Sequence, residues 1–221
     1  MNSFTSALVI GASGGIGAAI AQKLGAPARL SRREDGLDIT DEGSVASAAK
    51  DLAGQEFDLI FVATGVLAAE GARPEKSFAE VEPESFARAL AVNAIGPALV
   101  VKHFAPLLAR KGHAVLAFLS ARVGSIGDNR LGGWMSYRAS KAALNQIVRC
   151  ASVEIGRTRP GAVVLALHPG TIETALTRDH ARGRYTATPD ACAGQLLGVC
   201  ASATPAMSGG FFAYDGAPIV W

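Results

Sequence analysis

The chain has 221 residues, of which 49% are hydrophobic, so it is long enough for one well-buried core and short for two independent domains. Its formal net charge is only +2, and basic and acidic residues are mixed along its length. This balance argues against a nucleic-acid-binding tract or a polybasic membrane patch, and it favours a small molecule as the partner. We therefore expect one domain, residues 1–221, that binds neither nucleic acid nor membrane.

The first fifteen residues read MNSFTSALVIGASGG and contain no Lys or Arg before the apolar run. That arrangement argues against a signal peptide, so we expect a cytoplasmic protein. The longest stretch without a charged residue, 191–214, contains a proline and a Gly-Gly pair. These breakers predict helix, turn and strand there, not a membrane span.

Short apolar runs rich in Val, Ile, Leu and Phe alternate with longer alanine-rich segments along the chain. This alternation is typical of βαβ units that build a parallel sheet covered on both faces. The fold class that we expect is α/β: a single doubly wound Rossmann-type domain with a mostly parallel sheet. Predicted strands span 6–12, 28–31, 57–63, 114–120, 162–168 and 210–215, with a brief extra strand in GLDIT, 36–40. Predicted helices span 15–25, 41–53, 83–110, 135–157 and 188–201.

The segment GASGGIG joins the first predicted strand to the first predicted helix. Backbone N–H groups in such a loop, and at the N-terminus of the helix, can face a pyrophosphate without intervening side chains. Three longer connections, 64–82, 121–134 and 171–187, follow the carboxyl ends of strands, where open α/β sheets bind their ligands. The loop residues that we expect to bind a dinucleotide are Gly11, Ser13, Gly15, Ile16 and Gly17.

The end of the second predicted strand distinguishes the two nicotinamide dinucleotides. It reads Ser31, Arg32, Arg33, and an arginine there accommodates a ribose 2′-phosphate, so NADP(H) is favoured over NAD(H). Glu34 and Asp35 follow at once, and a shift of two residues would bring a carboxylate to the ribose instead. Since only these two residues separate the arginines from GLDIT, we expect no helix between the two strands.

Tyr137 and Lys141 are four residues apart, so on a helix they lie on the same face one turn apart. A phenol is a poor acid at neutral pH, but a nearby ammonium stabilises the phenolate and eases proton exchange. The spacing alone is common by chance. In this chain it follows a nucleotide-type glycine loop, and the loop and the pair together resemble a constellation known in one large family, in which the pair is catalytic.

Four segments together resemble the short-chain dehydrogenase/reductase family: GASGGIG, VNAIG at 92–96, YRASK at 137–141 and HPGTIET at 168–174. The resemblance runs from end to end. It narrows in GSIGDNRLGGWMSYRASKAALN and SGGFFAYDGAPIVW, which are similar to the branch of the C-factor proteins and the sniffer-type carbonyl reductases. The family often pairs its two long helices, so the resemblance also implies a homodimer or homotetramer.

The resemblance implies a role for each matching residue. Tyr137 is the general acid/base, Lys141 lowers its pKa and binds the nicotinamide ribose, and Asn93 holds a water molecule that links Lys141 to solvent. Asp38 and Ile39 border the adenine. The remaining residues expected around the cofactor are Ala63, Thr64, Gly65, Pro169, Gly170, Ile172 and Thr174, with Ala63 where the family normally has an asparagine.

One catalytic position departs from the family pattern. The family has two serines after its fifth strand, and here Ser120 takes the first place while Ala121 takes the second, which binds the substrate carbonyl. Either Ser120 substitutes through a local shift, or Ser125 reaches in from the loop, or Tyr137 holds the oxygen alone. We favour Ser120.

The expected function is an NADP(H)-dependent oxidoreductase, of carbonyl reductase or alcohol dehydrogenase type, acting on a small carbonyl or alcohol. The alternative is a nucleotide-binding signalling or scaffold protein of C-factor type with marginal turnover, suggested by Ala121. No metal site is expected, because the three cysteines lack CxxC spacing and the histidines have no partner pattern.

Overall fold

Six short runs of apolar and β-branched residues form the central sheet of the computed structural model, which describes residues 4–68, 73–178, 180 and 183–221. The strands are β1 (Ala7–Ile10), β2 (Ala28–Leu30), β3 (Leu59–Val62), β4 (Ala114–Leu119), β5 (Ala162–His168) and β6 (Gly210–Ala213). Their order across the sheet is β2-β1-β3-β4-β5-β6, and each neighbouring pair is parallel. All carboxyl ends therefore meet at one edge.

The helices are α1 (Gly15–Leu24), α2 (Arg32–Asp35), α3 (Glu42–Asp51), α4 (Pro83–Leu90), α5 (Gly96–Phe104), α6 (Met135–Thr158) and α7 (Pro189–Ser202). Helices α1 and α7 cover one face of the sheet, and their contact includes an ion pair between Lys23 and Asp190 at 2.8 Å. The other face packs against α3, α5 and α6. Two apolar layers thus share one sheet, which confirms the doubly wound α/β expectation.

The segment after β2 differs from the sequence prediction in two ways. Residues 36–38 are irregular and 39–40 form a turn, so the predicted strand is absent, because the Asp38 carboxylate accepts from the backbone N–H and the hydroxyl of Thr40. Such local side-chain bonds compete with a ladder. A helical turn, α2, also occupies the place where no helix was expected. It is closed by Ser31, whose hydroxyl accepts from Glu34 N–H, and by Asp35, which accepts from Ser31 N–H.

The predicted helix 83–110 is interrupted. One π-helical turn, Ala91–Ile95, joins α4 to α5, and a 3₁₀ turn ends the segment at Leu107. By length and composition alone, Pro83–Leu107 is apolar enough to cross a membrane, the one such helix among the described residues. Its Val92, Val100 and Phe104 lie in the core against the sheet. A buried core helix can have the same length and apolar composition as a membrane span, so this criterion alone does not distinguish the two.

Candidate functional site

Two clefts meet at the carboxyl edge of the sheet. The loop cleft lies beside the glycine loop and encloses about 230 Å³, and the tyrosine cleft lies beside Tyr137 and encloses about 300 Å³. Both are lined by Gly14 and by the segment Ala63, Thr64 and Gly65, so they form one groove across the ends of β1 and β3. The predicted residues in the loop cleft also include Gly11, Ser13, Ser31, Arg32, Asp38 and Ile39. Those in the tyrosine cleft also include Gly15, Ile16, Ser120, Tyr137, Lys141, Pro169 and Thr174.

The glycine loop approaches its neighbours too closely for side chains. Gly11 has φ of 89°, and a Cβ there would come within 2.9 Å of the Ala63 carbonyl carbon. A Cβ on Gly17 would come within 2.2 Å of the Gly11 oxygen, so this buried glycine serves packing and does not line either cleft. Gly14 is the N-cap residue of α1 and provides no side-chain cap, so the first backbone N–H groups of the helix have no side-chain partner at the cap.

The groove has features that fit a dinucleotide. The Thr64 hydroxyl is buried and has no hydrogen-bond partner among the described residues. A buried hydroxyl without a partner is costly, and a polar ligand in the groove would satisfy it. Together with the uncapped start of α1, it gives the groove polar groups available to a pyrophosphate and a ribose.

Arg32 lies in the wall of the loop cleft, with its side chain 68% exposed and its Nη2 3.4 Å from Asp38 Oδ2. The carboxylate that could have replaced it, Asp35, is turned back onto Ser31 as part of the α2 cap. Arg88, on α4, lines the same cleft and was missed at the sequence level, because no motif marks it. Hydrogen bonds from Thr40 lower the pKa of Asp38, and the two arginines add to this effect. The Arg33 side chain lies outside the described part of the structure.

Tyr137 and Lys141 are both buried, on the first turns of α6. The Lys141 ammonium donates to the Leu119 carbonyl at 2.8 Å and lies 5.9 Å from the centre of the Tyr137 ring. Burial lowers the pKa of Lys141 to about 8 and raises the pKa of Tyr137. Desolvation of the phenol is the cause of the tyrosine shift, and Lys141 is not among its causes.

Asn93 ties this pair to the rest of the groove. It sits in the π-helical turn, fully buried, and its side chain exchanges two hydrogen bonds with the backbone of Val66, at 2.8 and 2.9 Å. Its amide also donates to the Ser140 hydroxyl at 3.0 Å, and Ser140 donates to the Tyr137 carbonyl. A Cβ on Gly65 would lie 3.3 Å from Asn93 Oδ1 and 3.4 Å from Lys141 Nζ, so Asn93 and Lys141 flank the same glycine.

The two candidate serines differ in their surroundings. Ser120 lines the tyrosine cleft, and its hydroxyl donates to Asn145 Oδ1 on α6 at 2.6 Å. Ser125 is buried and accepts from the Asp128 N–H at 3.1 Å, which closes a turn. Among the residues described, Ser125 is not part of the wall of either cleft.

A third space, the outer cavity, opens beyond Tyr137 with a volume of about 540 Å³. Tyr137 and Leu176 line both this cavity and the tyrosine cleft, so the phenol stands where the two spaces meet. Gly170, predicted at the cofactor, lines the outer cavity. Ile172 is buried in the core layer under α1 and α7. The cavity wall, which the sequence patterns did not identify as a set, includes Leu67, Ala121, Arg122, Val123, Leu131, Trp134, His168, His180 and Arg184.

Trp134 shapes this cavity. Its backbone has φ of 53°, a left-handed conformation that is unusual for a bulky residue, and its N–H donates to the Glu75 carbonyl at 2.5 Å. Its ring packs edge-on against Tyr137 and His180, with centroids 6.3 and 6.1 Å apart. Arg138 holds the same loop by donating to the carbonyls of residues 123, 132 and 133.

Comparison with protein families and curated relatives agrees with this geometry. Residues 19–207 match a family model described as enoyl-(acyl carrier protein) reductase. The 1-hydroxy-2-glutathionyl-2-methyl-3-butene dehydrogenase of Rhodococcus sp. (strain AD45) is 33% identical over 190 residues, 85% of this chain and 80% of that protein. The C-signal protein of Myxococcus xanthus is 36% identical over 143 residues, 64% of this chain and 82% of that protein.

Two solved structures have the same fold. The carbonyl reductase Sniffer of D. melanogaster matches with a TM-score of 0.83 over the full length of both chains, and at 22% identity it supports the fold alone. The NADPH-bound carbonyl reductase from chicken fatty liver matches with a TM-score of 0.82 and 26% identity, over 98% of this chain and 94% of that one. These matches confirm the resemblance expected from the motifs.

The buried Lys141 makes the stability of the chain depend on pH. Below pH 8 its ammonium is charged in both the folded and the unfolded chain, and the cost of burying it is fully present. As the pH rises from about 8 to 10.5, the folded chain releases this proton while the unfolded chain keeps it. We therefore expect the free energy of unfolding to rise over this range by roughly 3 kcal/mol relative to Lys141→Met.

Urea unfolding at pH 7.5 and pH 10 measures this difference. Lys111→Met, at an exposed lysine, is the control and should follow the wild type at both pH values. A gap between wild type and Lys141→Met that stays constant with pH would contradict the depressed lysine pKa.

Proposed function

Because the chain belongs to the short-chain dehydrogenase/reductase family, we propose that it is an NADP(H)-dependent carbonyl reductase or alcohol dehydrogenase. The observation that carries the proposal is the position of Tyr137, at the junction of the groove beside the glycine loop and the outer cavity. A substrate carbonyl in the outer cavity would reach the phenol from one side, while the groove holds the cofactor on the other. The chain is then a single cofactor-binding domain.

Different residues of the groove would bind different parts of the cofactor. Backbone groups of the loop at Gly11, Ser13, Gly15 and Ile16 bind the pyrophosphate at the start of α1. Asp38 and Ile39 would border the adenine. Ala63–Gly65 would contact the middle of the cofactor, where the buried Thr64 hydroxyl would gain a hydrogen-bond partner. Pro169 and Thr174 border the nicotinamide, with Gly170 and Ile172 supporting them from the cavity and the core. When bound, the nicotinamide supplies the hydride for the carbonyl carbon.

Tyr137 acts as the acid in the reduction. Its pKa is raised by burial, so the phenol is protonated at neutral pH and can donate its proton to the substrate oxygen. Lys141, charged below about pH 8, is positioned to stabilise the phenolate that remains. Asn93 Oδ1 accepts the Val66 N–H and keeps a second lone pair, which can hold a water molecule beside Gly65. Such a water would pass a proton from solvent to Lys141, which returns one to the Tyr137 phenolate after each reduction. The cytoplasmic location and the homo-oligomeric state stay predictions from the sequence.

Arg32 supports the choice of NADP(H). It is an arginine at the end of β2 with its guanidinium largely exposed, and the solved carbonyl reductase from chicken, at 26% identity, is described as NADPH-bound. Its fork of donors suits a ribose 2′-phosphate. Arg88 adds a second positive charge to the same wall.

A second function is favoured by one observation, the 36% identity with the C-signal protein. Under this proposal the chain is a nucleotide-binding signalling or scaffold protein, and Ala121 reflects relaxed demands on turnover. The two functions differ in whether the Tyr137 hydroxyl is needed. The first experiment below separates them.

Tyr137→Phe tests the enzyme function. We expect the wild type to oxidise NADPH in the presence of aldehydes, ketones or quinones, and kcat to fall at least 100-fold in the variant because the proton donor is lost. NADPH binding, measured by fluorescence, should stay within about threefold. Wild type and variant that bind NADPH equally and are equally inactive on every carbonyl would instead favour the signalling function.

Ser120→Ala tests the substituted serine. If rotation of its hydroxyl away from Asn145 lets it donate to the substrate oxygen, the variant loses about 100-fold in kcat, as expected for one oxyanion donor. Ser125→Ala is the matched control, and its kcat should stay within a fewfold of the wild type. An undiminished kcat in Ser120→Ala would leave Tyr137 as the sole support of the oxygen.

Arg32→Ala tests the coenzyme preference. Loss of a charge-assisted bond to the 2′-phosphate should lower kcat/KM for NADPH about 10- to 100-fold and leave NADH within about threefold. Arg29→Ala, at an exposed arginine on β2, controls for the loss of a positive charge. Equal losses with NADPH and NADH would remove the role assigned to Arg32.

A further inference from the structure

The charged side chains among the described residues that line the outer cavity are all basic. Two arginines, Arg122 and Arg184, line it, and among its described lining residues there is no Asp or Glu. The acid paired with Arg122 is Asp128, whose carboxylate lies 3.2 Å from one Nη. A second acid, Asp215, acts on His168 from outside the wall. The other polar residues of the wall are His168, His180, Thr171, Thr177 and Tyr137.

His168 contributes no charge at neutral pH. Burial lowers its pKa to about 4, and its Nδ1 accepts from the backbone N–H of Arg122 at 3.2 Å. The imidazole therefore holds the Arg122 backbone and stays neutral. The fixed positive charge of the cavity comes from the two guanidinium groups.

Both arginines have donors to spare. A guanidinium carries five N–H donors, and the Arg122 side chain uses one of its nitrogens for Asp128 while remaining half exposed. Arg184 is exposed and forms no ion pair or hydrogen bond with any residue in the described part of the chain. A ligand carboxylate entering the cavity would thus meet charged donors whose one ion pair with the described residues is that between Arg122 and Asp128.

Most of the remaining wall is apolar. It includes Leu67, Leu131, Trp134 and Leu176, and Trp134 packs edge-on against the phenol ring. An apolar wall with a few polar groups is the usual composition of a small-molecule site, and the polar groups set the orientation of the ligand. Here the phenol would receive one end of a substrate and the guanidinium groups the other.

We infer that the substrate is an anionic carbonyl compound: an apolar body with an aldehyde or ketone directed at Tyr137 and a carboxylate bound by Arg184, with Arg122 assisting. This inference rests on the proposed reductase function. It adds the substrate class, since the preference for a negative charge is set by the arginines and not by the Tyr137–Lys141 pair. Arg184 is then a specificity-determining residue.

Matched substrate pairs test the inference. The probes are 4-formylbenzoate with its methyl ester, and the longer 4′-formylbiphenyl-4-carboxylate with its methyl ester, each at saturating NADPH. Within a pair only the charge differs appreciably, so the ratio of kcat/KM for acid over ester reports charge recognition. We expect this ratio to fall at least tenfold in Arg184→Gln, and less in Arg122→Gln because Asp128 already engages that side chain.

Two controls accompany these variants. Arg130→Gln removes an exposed arginine from the loop that contains Arg122. Arg130 does not line the cavity, so this variant should keep the wild-type ratio of kcat/KM for acid over ester. Arg184→Lys keeps the charge and should retain most of the preference. Raising the ionic strength from about 20 to 500 mM should lower kcat/KM for the acids and leave the esters nearly constant.

The outcomes separate the two proposals. An acid-to-ester ratio that is the same in the wild type, Arg184→Gln and Arg122→Gln overturns the anion site while leaving the reductase function intact. If none of the four aldehydes is reduced, the anion site is judged by binding, and the reductase function fails only if the aldehydes, ketones and quinones tested with Tyr137→Phe are also left unreduced. Quenching of Trp134 fluorescence by 4-formylbenzoate that is lost in Arg184→Gln then supports it, and equal quenching by acid and ester overturns it.

Discussion

The hydrogen bonds of one buried amide hold the candidate site together. Asn93 joins three segments that are distant in sequence: the chain after β3 through Val66, the turn between α4 and α5, and the start of α6 through Ser140. A buried amide that lost these partners would carry a large desolvation cost, so the three segments are fixed relative to each other. The π-helical turn places Asn93 at this point, as such turns frequently do at functional sites.

Burial in this site disfavours the charged forms of both Lys141 and Tyr137. Lys141 and Tyr137 are both removed from water, and burial acts on the two groups in opposite directions, lowering the lysine pKa and raising that of the tyrosine. The described partner of the ammonium is the neutral carbonyl of Leu119, at the end of β4. A site with a buried cation beside a neutral phenol favours ligands that bring hydroxyl groups or developing negative charge to it.

Much of the architecture could be predicted from the sequence, because strand and helix periodicities are local. The strand β5 has the predicted bounds, and the groove contains most of the predicted cofactor residues because parallel strands place their carboxyl ends at one edge. The turn at Asp38 and the short α2 were not predicted, since both depend on side-chain caps that override the strand pattern. The cavity arginines and Arg88 were also missed. They come from separate loops and helices, and only the tertiary structure brings them to one wall.

The backbone of Trp134 is strained at the wall of the outer cavity. A bulky residue held in the left-handed region stores strain of about 1 to 3 kcal/mol, and the strain persists because surrounding contacts hold it. Here the contacts include a backbone hydrogen bond to Glu75, in the connection after β3, and the bonds of Arg138 to its own loop. Glu75 does not line the outer cavity, yet through this bond it helps to fix the indole that packs against Tyr137 and His180. The shape of the cavity therefore depends on residues outside its wall.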